Sequence, residues 1–449
     1  MRLYDVLGVG FGPANVALAI ALEEGMPGTA ALFLEAQRDP VWQRGMLLDG
    51  SNIQNHPCRD LVSLRNPRSR YTFINYLFEE GRLLEHLNLP VEFPLRKEYA
   101  QYISWTTGHM AYMAEFGAPV RDIRLTRHQH TMIYTVRTAG SACRHGRSLV
   151  LAPGRTPYVP APFDTVSSPR VVHLTQYLNC LETLATALTS VAVIGGSQSA
   201  VELMLDLAKR FPRARITTYV RSFGLRLKDT SPFSEEGFFP DFTTYYHRAS
   251  RASKHELDTY LRLTNYSSAD DDVLKELYLL LYEERLEGRQ RLSVRGNRQV
   301  YSVRTTDSGV DLGIAELHTG ARERDTVDLV VLATGFRDLG PGPHQEPYPP
   351  LLAGIVDRFR FDADGYLVVG DDYRLAAHDD GTPPLFLNGL CESSHGIGDS
   401  GSFSLLSVRA AVIRDSLRAC LPGPTNHVQP RGAATAVTTT GLSARHDPV

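Results

Sequence analysis

The stretch "DVLGVGFGPANVALAIAL", Asp5 to Leu22, sets three glycines between an apolar run and a run of helix formers. Residues 3–9 read as a short strand, and Ala14 to Leu22 as a helix ending near Gly25. Ala31-Leu-Phe-Leu34 is a second strand, with Glu35 at its end. Strand, glycine turn, helix and strand in that order make the β-α-β unit that holds a dinucleotide. Gly10 permits the tight turn. Gly12, followed by Pro13, lets a pyrophosphate approach the helix N-terminus, where free N–H groups and the helix dipole favour an anion. Asn15 stands in place of a third glycine, which predicts looser helix–strand packing than in the NAD fingerprint. Glu35 is placed to accept ribose hydroxyls. A buried structural turn and the apolar region of a signal peptide are the competing readings. Asp5, Pro13 and Asn15 interrupt the apolar stretch and count against the second.

A second unit begins at Ser190 with "SVAVIGGSQSAVELMLDLAKRFPRARITTYVR". Val191 to Ile194 is its strand, and Gly195-Gly196-Ser197-Gln198-Ser199-Ala200 its turn. A helix follows, then another strand ending near Arg221. Ser197 at the second-glycine position narrows the backbone approach but can donate its hydroxyl to a phosphate. Arg221 replaces the acid of the first unit, and an adenosine 2′-phosphate needs a cation there. The plainer alternative is a surface arginine in a basic run with Arg226 and Lys228. One site with an acid and one with an arginine imply FAD plus NADPH. No C-x-x-C is present, which argues against a relay of electrons to a disulfide and makes oxygen the obvious alternative acceptor. Two further strand-plus-glycine stretches are "SLVLAPGRTPYVP" and "DLVVLATGFRD"; Ala333 in the latter is another cofactor-contact candidate.

The 449 residues have room for two or three domains, and the 43% hydrophobic and 22% charged content is that of a globular chain. A net charge of -3 argues against nucleic-acid or anionic-membrane binding. The five cysteines lack metal-site spacing, so no metal is expected, and their scatter fits a reducing cytoplasm. No apolar run is long enough to span a bilayer. Residues from Arg226 to Glu284 read as a small helical insertion, and the segment from Pro422 as a disordered tail.

Longer blocks carry a more specific signal. "GFGPAN", "VWQRGM", "IQNHPCRDLVSLRNPRSRYTFINYLFEEGRL", "GGSQSAVE", "DTSPF", "TNYS", "LATGF" and "HGIGDSGSFSLLSVRAA" run to about residue 420. With these blocks the chain resembles the flavin-dependent N-hydroxylating monooxygenases, the siderophore-type ornithine and lysine N-hydroxylases. The resemblance implies that NADPH reduces FAD and that reduced flavin captures O2 as a C4a-hydroperoxide. A neutral amine then attacks the distal oxygen, which requires a dry pocket and a held, unprotonated amine. It further implies that Gln54 and Gln198 flank the flavin ring with Trp42 nearby, and that Ser199 and Arg221 contact NADPH. Asn265 sits where nicotinamide ribose and substrate meet, and Asp399, Leu406 and Ser407 close the pocket. Core packing is the alternative for Trp42 and Leu406, and for His395 a structural hydrogen bond is favoured over catalysis.

Substrate recognition departs from the ornithine pattern. Arg59 stands where those enzymes carry a carboxylate-binding lysine, and Glu235 where they carry an asparagine. Both would bind substrate, together with Asn265 and Ser407, unless Arg59 and Glu235 simply pair with each other. The segment between Asp399 and Leu405 is longer than in ornithine enzymes and nearer to the lysine and diamine types. The expected fold is α/β, with two Rossmann-like dinucleotide-binding domains and a small, mainly helical substrate lobe. FAD-domain parts are expected at 1–188 and 338–421, NADPH-domain parts at 189–229 and 273–337, and the lobe at 230–272. The expected reaction hydroxylates the side-chain amine of a basic amino acid or related amine, in a homo-oligomer (tetramer or dimer). Oxygenation of carbon or sulfur, or a non-catalytic nucleotide sensor, are the rival readings.

Overall fold

The computed structural model describes residues 1–39, 41–184 and 188–421; the tail expected to be disordered lies outside these residues. Its first layer is a seven-stranded sheet. Leu3–Val9 lies between Ala31–Leu34 and Cys143–Leu151 and runs parallel to both. Ala114–Glu115 extends one edge, the antiparallel strands Val120–His128 and Thr131–Thr138 extend the other, and Leu385–Leu387 also pairs in parallel with Cys143–Leu151. The helix Pro13–Gly25 is buried from Asn15 to Leu22, on all its faces. A helix apolar all round must be covered on every side. It shares a buried cluster with the sheet on one side, and the helix Leu406–Cys420 packs on another.

The second sheet has five parallel strands in the order Leu292–Arg295, Arg215–Tyr219, Ser190–Ile194, Leu329–Leu332, Val171–His173. It recruits Val171–His173 from before residue 188, so the second unit takes in chain that the sequence reading assigned to the first. A three-stranded antiparallel sheet, Arg298–Thr305, Val310–Glu316 and Arg322–Val327, completes that unit. The helices Pro240–Arg248, Arg251–Asn265 and Asp271–Leu286 form the insertion, as the polar and aromatic composition predicts.

The two units are joined by two chain crossings that hydrogen-bond to each other. Arg337 donates its N–H to the Thr156 carbonyl at 2.8 Å, and Tyr158 donates to Gly335 at 2.9 Å. This short antiparallel ladder limits how far the units can separate without breaking backbone hydrogen bonds.

Candidate active site

The two glycine turns are built alike. Gly10 has φ +82°, and a Cβ there would stand 2.2 Å from the Ala152 carbonyl oxygen. Gly195 has φ +147°, and its Cβ would stand 2.3 Å from the Ala333 carbonyl oxygen. In each unit the residue after the neighbouring strand donates back: Ala152 N–H to Val9, Ala333 N–H to Ile194, both at 2.9 Å. Ala333 therefore serves as a backbone wall that only glycine can approach at residue 195.

Gly12 begins the first helix with no side-chain cap and with no atom within 4 Å of its missing Cβ. Uncapped N–H groups facing open space are what a pyrophosphate requires. Glu35 accepts from Phe11 N–H at 2.7 Å and Gln37 N–H at 2.9 Å, which orients its carboxylate at the strand end. Ser197 begins the second helix, Gln198–Arg210, also uncapped. Arg221 lies exposed beyond the strand Arg215–Tyr219, with no ion pair among the described residues. The residues present fit two dinucleotides, one ending at an acid and one at a free cation.

Asn15, Asp399 and Leu406, read from sequence as cofactor-binding candidates, are each engaged by the protein's own contacts. Asn15 is fully buried; its Nδ2 donates to the Gly10 carbonyl at 2.7 Å, and its Oδ1 accepts from Asn388 at 3.0 Å. It ties the turn together, so the packing here is reinforced and not loosened. Both Asp399 oxygens are engaged, one by Arg409 at 2.6 Å and one by the Cys391 N–H at 2.6 Å. The residue is 2% exposed, so these contacts are made inside the protein. Leu406 joins the core beneath the first sheet, which is the packing alternative. Trp42, half-buried, meets Phe403 edge to face at 5.0 Å. Ser199 lines a small cavity with Met46, Arg96 and Glu202 between the units.

A polar chain crosses from unit to unit. Arg96 pairs with Glu202 at 3.0 Å, and Glu202 accepts from Gln198 at 3.1 Å. Gln198 accepts from the Asp270 N–H at 2.8 Å, and the Asp270 carboxylate accepts from Gln54. Gln54 adopts a left-handed φ of +51°. The two glutamines expected to flank one ring are thus brought together by a third residue, Asp270. The sequence reading missed Asp270, whose only signal was its place just after "TNYSSA".

At the lobe, Arg59 and Glu235 approach to 3.7 Å, each with roughly a quarter of its side chain exposed (27% and 28%). The two side chains form the mutual ion pair that was the alternative to substrate binding. Burial raises the Glu235 carboxyl while Lys228 and Arg59 oppose it. Asn265 ends the helix Arg251–Asn265. Ser407 is buried, and its hydroxyl has no hydrogen-bond partner among the described residues. His395 is buried beside Ser394 Oγ at 2.8 Å and stacked on Tyr373 at 4.1 Å. Burial pushes its pKa down to about 4, so it stays neutral in a structural setting.

Residues 2–338 match the family described as L-lysine 6-monooxygenase/L-ornithine 5-monooxygenase. The chain belongs to that family. It is 36% identical over 410 residues to an L-ornithine N(5)-monooxygenase of Burkholderia cepacia, covering 88% of this chain and 90% of the relative. The structure of the ornithine hydroxylase PvdA from Pseudomonas aeruginosa superposes with a TM-score of 0.85 at 32% identity, covering 93% and 99% of the two chains. A Kutzneria ornithine N-hydroxylase solved with reduced FAD, NADP+ and L-ornithine also gives 0.85, at 29% identity and 93% and 99% coverage. The chain is accordingly a flavin-dependent N-hydroxylating monooxygenase of the two-Rossmann α/β fold, with FAD and NADPH as cofactors. Among the described residues no helix is long and apolar enough to cross a membrane.

Proposed function

We propose that the protein hydroxylates the side-chain primary amine of a zwitterionic basic amino acid of the ornithine or lysine type. The observation that carries this is the Arg59–Glu235 pair, a cation and an anion side by side at the lobe. An α-amino acid presents a carboxylate and an ammonium at similar spacing, so it can replace each partner of the resting pair. A partly exposed pair at 3.7 Å contributes little on its own, so opening it costs little.

Gly10, Gly12 and Pro13 would hold the FAD pyrophosphate, with Glu35 on the ribose; Gly195, Ser197 and Ser199 would hold NADPH, with Arg221 on its 2′-phosphate. FAD held there and reduced by NADPH would supply the electrons that activate O2, one atom of which goes to the amine and the other to water. Gln54 and Gln198, coupled through Asp270, would give the ring a rigid polar edge, and Trp42 with Phe403 keeps water from it. Asn265 and Ser407 would orient the amine-bearing chain.

A screen of ornithine, lysine, arginine and diamines for hydroxylamine formation tests the reading. Amino acids should be preferred over diamines of equal length; peroxide alone across the panel would defeat it. Restoring the ornithine pattern with Arg59→Lys and Glu235→Asn should shift kcat/KM toward ornithine by about tenfold, the effect of one charge-assisted hydrogen bond. Unchanged preference would show that neither residue reads the substrate. Ser407→Ala should raise KM for the amine about fivefold while leaving stability within about 0.5 kcal/mol, since the hydroxyl has no partner to lose. Equal KM values for the two proteins would place that hydroxyl away from the amine.

We also read the protein as a cytoplasmic homo-oligomer, a tetramer or dimer. Its five cysteines are all free, which suits a reducing compartment. Phe233, Tyr260 and Tyr278 on the lobe are largely exposed and suit a subunit contact. Light scattering after gel filtration measures that state.

A further inference from the structure

The helix that carries Asn265 is tied at both ends to one short turn, Glu392–His395. At its start, Arg251 donates to the Ser393 carbonyl at 2.9 Å and Lys254 to the Ser394 carbonyl at 3.4 Å. At its end, the Tyr266 hydroxyl donates to Glu392 Oε2 at 2.5 Å. The same oxygen accepts from Ser400 Oγ at 2.7 Å. Arg155, from the first crossing between the units, donates to the Tyr266 oxygen at 3.1 Å and lies 3.7 Å from Glu392. Its other partner is Asp338 of the second crossing, at 3.2 Å. One carboxyl group thus joins the lobe, the first crossing and the loop that follows residue 395, and Arg155 carries the link on to the second crossing.

Gly401 shows how closely these parts meet. A Cβ there would lie 3.0 Å from the Tyr266 hydroxyl, 3.1 Å from Asn265 Nδ2 and 3.2 Å from an Arg155 nitrogen. The Asn265 amide is therefore packed against the loop whose position Ser400 and Glu392 hold.

We propose that Glu392 is a positioning residue for hydroxylation: its carboxyl group clamps Tyr266 and Ser400, and through them fixes the Asn265 amide and the 396–405 loop around the bound amine. It touches neither substrate nor cofactor. Asn265 ends a helix, where the last turn is free to fray unless it is held. A hydroxyl donor from the next residue, fixed on a buried acceptor, removes that freedom.

The carboxyl group is buried on every side. Tyr246 and Tyr266 face it from the lobe, Arg155 and Asp338 from the crossings, and Ser400 from the loop. Burial pushes it up to about 8, with Asp338 adding to the rise and Arg155 opposing it. Both hydroxyls donate to one oxygen of the group, and an amide of the same length keeps an oxygen that can accept them. A methyl group cannot accept either hydroxyl, and a shorter acid cannot reach both.

The proposal rests on the amine-hydroxylation reading for the role of Asn265. The test measures amine KM, kcat and the fraction of NADPH oxidation that yields hydroxylamine, in FAD-loaded protein. Glu392→Ala should raise amine KM about tenfold and divert turnover to peroxide, while KM for NADPH and the rate of flavin reduction stay within about twofold. Glu392→Gln should stay within about twofold of the parent on every measure, and Ser400→Ala should show the alanine effect in milder form. If Glu392→Ala fails to fold, Ser400→Ala and Glu392→Gln decide the matter. Parent-like amine KM and coupling in folded Glu392→Ala would overturn the proposal. So would parent-like values in Ser400→Ala where Glu392→Ala does not fold, an alanine-like loss in folded Glu392→Gln, or a parallel loss toward NADPH and amine. Parent protein that forms no hydroxylamine from any amine would overturn the functional reading instead.

Discussion

Arg221→Ala is expected to raise KM for NADPH about 10- to 100-fold, the effect of losing one or two charge-assisted hydrogen bonds. KM for NADH should hardly move, because NADH has no 2′-phosphate. The reason the effect should be so selective is structural. Arg221 is exposed, follows the strand Arg215–Tyr219 and has no ion pair among the described residues, so the folded protein loses nothing without it. Thermal stability should therefore match the parent, and kcat at saturating NADPH should be retained. Stopped-flow reduction of the flavin at varied NADPH and NADH separates the possibilities. An equal loss toward both nucleotides would place Arg221 on a shared phosphate, and no loss would make it a surface arginine with no part in nucleotide binding.

The second large effect concerns stability. Asp399→Ala should destabilise the protein by about 3–5 kcal/mol, because it leaves the Arg409 guanidinium buried without its partner. Both side chains are only 1% exposed, and their closest approach is 2.6 Å. Arg409 also donates to Asn388 at 2.8 Å, and Asn388 in turn holds Asn15 and the Ala14 carbonyl at 3.0 Å. The damage should therefore reach the first glycine turn and lower FAD retention as well. Replacing both charges at once, Asp399→Leu with Arg409→Met, should recover much of the lost stability, since no buried charge is then stranded. Chemical denaturation of the FAD-loaded proteins reads the difference. A loss below about 1 kcal/mol for the single variant would mean that water or a rearranged partner reaches Arg409.

Much of this fold could be read along the chain because its signals are local. Gly10, Gly12, Gly195 and Gly196 announce turns through sterics that involve a few neighbouring residues. The helix after each turn follows from its run of helix formers. The FAD and NADPH assignments came from Glu35 and Arg221, single charges placed at the ends of strands that bracket those turns. The long blocks around Asp60 to Leu83 and "TNYS" added the family, and with it the reaction.

Tertiary structure decided how polar side chains divide between ligand and protein. Asn15 sits in a nucleotide turn and reads as a cofactor contact, yet Asn388, far along the chain, takes up its amide. Asp399 reads as a pocket residue, and burial beside Arg409 makes it part of the core. Gln54 and Gln198 converge only because Asp270 folds back between them. Glu392 had no local mark at all, since its role depends on a crossing, a lobe and a loop meeting at one carboxyl group. Backbone geometry is set by near neighbours, so a sequence displays it directly. The partner of a buried polar group is set by whatever the fold brings within 3 Å, and that follows only once the chain is packed.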